Sequence, residues 1–533
     1  MSHLLHHLPL IAAERDGDAS ALTLRDQTLS YRDLAGALDR VATGLLALGI
    51  KRGERVAFYL DKRFETVAAA FGIAQVGAVF VPVNPLLKAE QVGHILRDCN
   101  VRVVVTSAER LDVIAATLAD CPDLRQVVVL GAITPLLPPG KDIVAWSDFT
   151  SATGGHGHRV IDTDMVAILY TSGSTGRPKG VVLSHRNMVA GAKSVAGYLE
   201  NTGADTILAA LPLSFDAGFS QLTTAFHVRA RVVLLNYLMP RDVINALAKE
   251  RVTGLTAVPP LWIQLSQLPW PEGIADHLRY IANTGGRMPR ETLAQLRSNL
   301  PRTKPYLMYG LTEAFRSTFL PPGEVDRRPD SIGKAIPNAE ILVLRPDGTP
   351  CGPNEPGELV HRGALVAMGY WNDPEKTAER YKPLPIGVGG REAGMVLPET
   401  AVFSGDTVQA DDEGFLYFIG RRDEMIKTSG YRVSPTEVEE ALYRTKLVGE
   451  VAAFGSAHAT LGQAIVVIAT PPPGGTLEVT LLLAECRKHL PAYMVPASIE
   501  IHPGPLPRNP NGKIDRKTLS VQFEERQSDA VAT

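Results

Sequence analysis

Amphipathic stretches and short apolar runs take turns along the N-terminal part of the chain. Tyr31 to Leu48 has helical periodicity and is followed by a strand-like run at Arg55 to Leu60; Gln91 to Cys99 and Val101 to Thr106 repeat the order. Between them, Val67 to Val83 is apolar, rich in Ala and Gly, and interrupted by Gln75 and Pro82. It is too short for a bilayer span and reads as a buried helix running into a strand. Helices alternating with short apolar strands indicate an α/β architecture with largely parallel sheets. No internal repeat is evident.

At 533 residues the chain is too long for one core, and a prior of about 150 residues per domain suggests roughly three or four lobes. From Ala339 the texture changes to strands and turns: Ile341 to Leu344, the turn Pro346-Asp347-Gly348, and Gly357-Glu358-Leu359-Val360. A smaller β-rich lobe is expected there, at 339–420. After Arg421-Arg422-Asp423 a helix start is written in Ser434-Pro435-Thr436-Glu437, where Ser caps, Pro suits the first turn and Glu closes a capping box. A C-terminal domain is therefore expected over 423–522, and the small polar residues of 523–533 are expected to form a disordered tail.

Charge and cysteine usage narrow the partners. Lys and Arg number 54 against 57 Asp and Glu, a formal net charge of −3, so no positive excess exists to hold a nucleic-acid backbone. Cys99, Cys121, Cys351 and Cys486 stand far apart with no Cys-x-x-Cys pair; neither a zinc site nor a disulfide framework is suggested, and a reducing cytoplasm fits. Met1 to Asp18 carries histidines where an export signal carries lysines, and its apolar stretch Leu8 to Ala13 is short. The expectation is a cytoplasmic protein without a membrane span.

The most informative stretch is Tyr170-Thr171-Ser172-Gly173-Ser174-Thr175-Gly176-Arg177-Pro178-Lys179-Gly180, which follows the apolar strand Met165 to Leu169. Glycines let the backbone approach an anion with its N–H groups, hydroxyls add donors, and Lys179 adds a positive charge, as a polyphosphate requires. It is not a Walker A loop, because the Gly-Lys pairs at 140–141, 333–334 and 512–513 lack the Ser or Thr that must follow. By composition alone a Ser/Gly surface loop remains an equal reading.

The order of residues in that loop resembles the signature of the adenylate-forming superfamily of acyl-CoA synthetases, peptide-synthetase adenylation domains and luciferases. The resemblance continues through Tyr309-Gly310-Leu311-Thr312-Glu313, Ser404-Gly405-Asp406, Gly420-Arg421-Arg422-Asp423 up to Gly430, and Pro507 to Arg516. Within the superfamily, Leu211 to Phe226 and Tyr306 to Phe319 look most like the stand-alone AMP ligases associated with exosortase systems. The resemblance implies a large N-terminal adenylating domain (1–422) of stacked mixed sheets with helices and a β-rich subdomain, and a small, mobile α+β C-terminal lid domain hinged at Asp423.

It also implies roles. The cosubstrate ATP would be held by Thr171, Ser172, Gly173, Ser174, Thr175, Gly176 and Lys179, with Tyr309 stacked on adenine. Asp406 would accept from both ribose hydroxyls, as an ionised carboxylate can, with Arg421 beside it. Thr312 would touch the α-phosphate and Glu313 would ligate Mg²⁺, a hard cation that shares phosphate oxygens. Lys513, at the tip of a Gly-bearing loop, would stabilise the charge that develops when a carboxylate attacks a phosphate. Lys427 and Gly430 would face the thiol tunnel. Each residue also has a plainer reading: Glu313 as a solvated helix-start carboxylate, Asp406 as a turn aspartate, and Lys513 as a solvated loop charge.

For the acid, Phe215-Asp216 looks like the pair of amino-acid adenylation domains in which the aspartate receives the α-ammonium, so Asp216 and Lys513 would form a zwitterion clamp; a plain helix cap is the alternative. Leu311 stands where amino-acid domains commonly have Pro. Ser220, Ala257, Ala282, Thr284, Met308, Arg316 and Ser317 align with the acyl pocket. If Arg316 faces that pocket, a carboxylate or other polar acceptor is expected in the substrate. The leading expectation is a stand-alone ligase loading a small amino acid or polar acid on the phosphopantetheine of a separate acyl or peptidyl carrier protein. An acyl-CoA synthetase using free coenzyme A and a catalytically inactive nucleotide-binding regulator are the alternatives.

Overall fold

The computed structural model describes residues 2–532 apart from 133–137, 156, 172–177, 287, 289, 422–424, 434, 446, 473–474 and 508–513, and leaves aside the side chains of 260, 263, 291, 420, 421, 436, 440 and 528–532. Three sheets organise the chain, of fourteen, seven and five strands. In the seven-stranded sheet every pairing is parallel except that of Met165–Thr171 with Lys179–Ser184. The fourteen-stranded sheet is parallel through its centre, from Lys304–Tyr309 to Ser20–Leu24. This is the α/β organisation expected from the alternation of helical and apolar runs.

Alternate residues of these strands feed different cores, as the two-residue period of a strand requires. Ile207 and Ala209 face a core shared with Val103 and Val105 of the other sheet, whereas Leu208 and Val104 face two separate outer layers of helices. Several helices contribute to the shared core, among them Phe64–Val76 and Asp216–Val228. Phe64–Val76 is buried on almost every side and ends at Gly77, a left-handed cap. Asp216–Val228 meets it through Phe219, whose ring centroid is 5.7 Å from Phe71 and 4.9 Å from Phe80. The apolar run Val67 to Val83 thus becomes the expected helix and strand, Phe64–Val76 and Val79–Pro82.

The β-rich part has no sheet of its own. Ala339–Leu344, Gly357–Gly363, Thr400–Ala410 and Leu416–Arg421 pair antiparallel, and Ser331–Ala335 joins them to the parallel centre. The five-stranded sheet forms the C-terminal part, with Pro435–Arg444 and Val479–His489 on one face and Arg516–Ala532 on the other. That last helix runs through most of 523–533, where a disordered tail was expected. Leu519 and Phe523, four residues apart, share one helix face and pack on Phe454 and Ile468, which anchors the segment. Among the described residues no helix is long and apolar enough to cross a membrane.

Candidate nucleotide and acyl site

A cavity of about 600 Å³ opens where the parallel strands end. Leu60, Val83, Ala210, Val258, Thr284 and Gly310 line it, and each directly follows the last residue of its strand. Ligands of open α/β sheets bind at this edge because strands stop there and loops diverge.

At one end Thr171 and Lys179 pair across two antiparallel strands; residues 172–177 between them, and with them the expectations for Ser172, Gly173, Ser174, Thr175 and Gly176, lie outside the described residues. Lys179 is half-buried, and that burial, then the nearby Lys376 charge, lowers its pKa. Its ammonium stands 5.4 Å from the ring centroid of Tyr370. The Tyr370 hydroxyl donates to Glu313 Oε1 at 2.7 Å. One side chain thus touches both Lys179 and Glu313 at this end of the cavity, and sequence reading missed it. The cue was an aromatic pair after glycine, Gly369-Tyr370-Trp371; what gives it meaning is a long-range pairing in which Met368 N donates to Val182 O (2.8 Å) and Trp371 N to Gly180 O (2.7 Å).

Among the described residues no cluster of three or more His, Cys, Asp or Glu side chains is placed to hold a metal. Two carboxylates line this end of the cavity: Glu379, which pairs with Lys376, and Glu313, which Tyr370 holds; Glu313 fits Mg²⁺ if the other ligands are phosphate oxygens and water. Further along, Tyr309 donates to Asp406 Oδ2 at 2.5 Å. Asp406 is 1% exposed, lies on the cavity wall, and sits opposite Arg421 in the strand register. The expected ribose pair is therefore adjacent in backbone, with the Arg421 side chain outside the described residues.

The acyl corner is built on two special pieces of backbone. Asp216 opens the helix Asp216–Val228, and Gly218 permits the tight approach: a Cβ there would fall 1.8 Å from Pro212 O. Phe315 has φ 58° and ψ −51°, and Arg316 N donates back to Ala314 O at 2.6 Å. This is the rare, strained γ-turn, a conformation costing about 1–3 kcal/mol that persists only when packing enforces it. The enforcement is visible, since a Cβ at Gly191 would fall 2.4 Å from the Phe315 ring. The turn aims Arg316 inward, where Nη1 meets Asp216 Oδ2 at 2.9 Å with side chains 3% and 16% exposed.

Phe215, Asp216, Thr284 and Arg316 line the cavity. The other five expected pocket residues are buried behind its wall. Ser317 bonds His361, Met308 accepts from Tyr198, Ser220 faces Thr224, Ala282 lies in the inter-sheet core and Ala257 in the outer core. The Arg316 side chain packs over Gly310 on the cavity wall. Sequence reading also missed Lys62. Buried in the wall, it donates to Ala210 O at 2.7 Å, and burial lowers its pKa to about 7.

The C-terminal part closes the third side. Gly430, at φ 79°, tips a hairpin that meets Val258, and Tyr431 stacks on Tyr493 at 3.6 Å and edges Phe215 at 5.0 Å. Lys427 is not on the wall; it lies 4.0 Å from the Phe418 ring, which neighbours Tyr309. Asp423 and Lys513 lie outside the described residues.

A cavity at the strand ends, with a cation and a carboxylate at one end and an acidic residue beside an aromatic further along, defines a nucleotide-binding α/β enzyme. The chain belongs to the AMP-binding enzyme family, whose model matches residues 11–371; the model of the AMP-binding enzyme C-terminal domain matches 437–513. It is 29% identical over 526 residues to a feruloyl-CoA synthase of Amycolatopsis sp, covering 97% of this chain and 98% of that one. It is also 29% identical over 509 residues to a linear gramicidin synthase of Brevibacillus parabrevis, where 95% of this chain spans only 6% of the relative. The solved amide bond synthetase of Marinactinospora thermotolerans shares the fold, with a TM-score of 0.83 at 22% identity over 98% of this chain and 99% of that one.

Proposed function

We propose that the protein is an AMP-forming acid–thiol ligase that adenylates a small amino acid or related polar acid and loads it on the phosphopantetheine thiol of a separate carrier protein. The observation that supports this most is the single cavity joining the Lys179–Glu313 end, Asp406, the Asp216–Arg316 corner and the Gly430 hairpin. A carboxylate is a poor electrophile. Its oxygen attacks the α-phosphorus of ATP, the bond to the β-phosphate oxygen breaks, and pyrophosphate leaves. The thiol sulfur then attacks the acyl carbon of the mixed anhydride, AMP leaves, and the thiol proton passes to water.

Lys179 offsets the charge of the phosphates, and Asp406 holds the ribose. Bound Mg²⁺ at Glu313 would supply charge neutralisation for the leaving pyrophosphate. Lys513 would bridge the attacking carboxylate and the α-phosphate. No covalent enzyme nucleophile is needed, so positioning and electrostatics carry the rate. A second reading, transfer to free coenzyme A, is favoured by the end-to-end match with a feruloyl-CoA synthase.

The test is pyrophosphate release from ATP and Mg²⁺ across amino acids, hydroxy acids, fatty acids and aromatic acids, followed by transfer to coenzyme A or to a carrier protein. Acid-dependent release is expected, and Lys513→Ala should nearly abolish it while ATP binding survives. Binding of ATP with no acid-dependent release would replace the ligase with a nucleotide-binding regulator.

A further inference from the structure

The Asp216–Arg316 contact limits which acid the corner can take. Asp216 Oδ2 already holds a cation, Arg316 Nη1, at 2.9 Å. Nη1 also donates to Phe315 O at 3.0 Å, whereas Arg316 Nε–H is buried without a hydrogen-bond partner. The pair is therefore neutral in sum, and both Nη1 hydrogens are already used within the protein. A substrate α-ammonium placed against Asp216 would add a second cation to a carboxylate already shared with a buried guanidinium, leaving one positive charge uncompensated in a poorly solvated corner. A second substrate carboxylate would reverse the imbalance, competing with Asp216 for the same cation. A neutral oxygen acceptor disturbs neither charge and can take a bond from the edge of the guanidinium that lines the cavity, a charged donor.

We infer that Asp216 and Arg316 act as a self-neutralised specificity pair, selecting a carboxylic acid whose far end carries an uncharged hydrogen-bond acceptor, such as a hydroxyl, keto or amide oxygen, over simple α-amino acids and dicarboxylic acids. The inference rests on the ligase reading above and chooses within its substrate range. It replaces the zwitterion clamp, because the partner of Asp216 is Arg316 and not the substrate.

The experiment compares short acids matched in chain length and bearing a hydroxyl, an amino group or a second carboxyl, by pyrophosphate release and by ligand-induced thermal shift. The hydroxy acids are expected to exceed the amino acids in kcat/KM by about tenfold or more, the ratio supplied by one hydrogen bond to a charged group. Arg316→Met leaves the corner negative and should move the hydroxy-to-amino ratio toward amino acids. Asp216→Asn leaves it positive and should move preference toward dicarboxylic acids. Ratios within one variant cancel a general loss of activity, and the Arg316→Met/Asp216→Asn double variant, neutral again, should restore the order of the unmodified protein. Amino-acid preference in the unmodified protein, or ratios unmoved in both single variants, overturns the inference. Absence of pyrophosphate release with any acid, while thermal shifts still favour hydroxy acids, overturns the ligase reading and leaves the pair's selectivity standing.

Discussion

Tyr370 shows how one residue couples two charges. Its hydroxyl orients Glu313 while its ring face lies under Lys179. Tyr370→Phe keeps the ring and deletes the hydrogen bond, worth about 1.5–3 kcal/mol when the acceptor is charged. Calorimetric titration with ATP should show Mg²⁺-dependent affinity falling about tenfold, with metal-free ATP binding little changed; equal losses with and without Mg²⁺ would remove the positioning role. Lys62 makes a separate prediction. Burial lowers its pKa from 10.5 to about 7, so between those values the unfolded chain binds more protons than the folded one and stability rises with pH. Lys62→Met abolishes that slope. Measured by denaturant unfolding, the variant should lose ground to the unmodified protein as pH is raised from about 7 to 10.5; a gap independent of pH would mean that Lys62 does not titrate there. Glu313 and Lys179 were legible because each lies inside a short ordered motif. Tyr370 and Lys62 were not, because their partners come from strands remote in sequence.

Among the elements, the hairpin of Ile426–Thr428 and Tyr431–Val433 closes the cavity against Val258. Its tip, Gly430, is left-handed, and a Cβ there would lie 2.8 Å from the Val258 side chain. Gly430→Val combines positive φ at a β-branched residue with this overlap, at a cost of about 1–2 kcal/mol for the backbone and 1–3 for overpacking. The C-terminal part should be pushed off the cavity, slowing thioester formation more than adenylation. Single-turnover assays of each half-reaction check this, and equal losses would separate the hairpin from the thiol path. In the helix Asp216–Val228 only a candidate cap at Asp216 was legible in the sequence. Its capping geometry was not, since the closeness of Pro212 O to Gly218 depends on how the preceding loop folds back.

Polar and aromatic side chains join the N-terminal and C-terminal parts of the molecule. Tyr431 edges Phe215, Gln91 donates to Glu437 at 3.1 Å, and Arg444 pairs with Glu90 on the surface. Exposed pairs contribute little, so the aromatic contact carries more of this junction than the surface ion pair. Tyr431→Ser removes the aromatic anchor, worth about 0.5–1.5 kcal/mol beyond its buried area. Solution scattering should record a larger radius of gyration with unchanged circular dichroism; an unchanged radius would mean that docking does not depend on this contact.

Local order in the sequence determined the parallel α/β architecture and pointed to Glu313 and the Asp406–Arg421 neighbours on the cavity wall, because periodicity and short motifs act over a few residues. Tertiary structure alone decided that the β-rich strands extend the main sheet, that Leu519 and Phe523 anchor the last helix, and that Arg316 answers Asp216. Those outcomes depend on strand register and on a strained turn held by Phe315 against Gly191, and such long-range packing leaves no pattern in neighbouring residues.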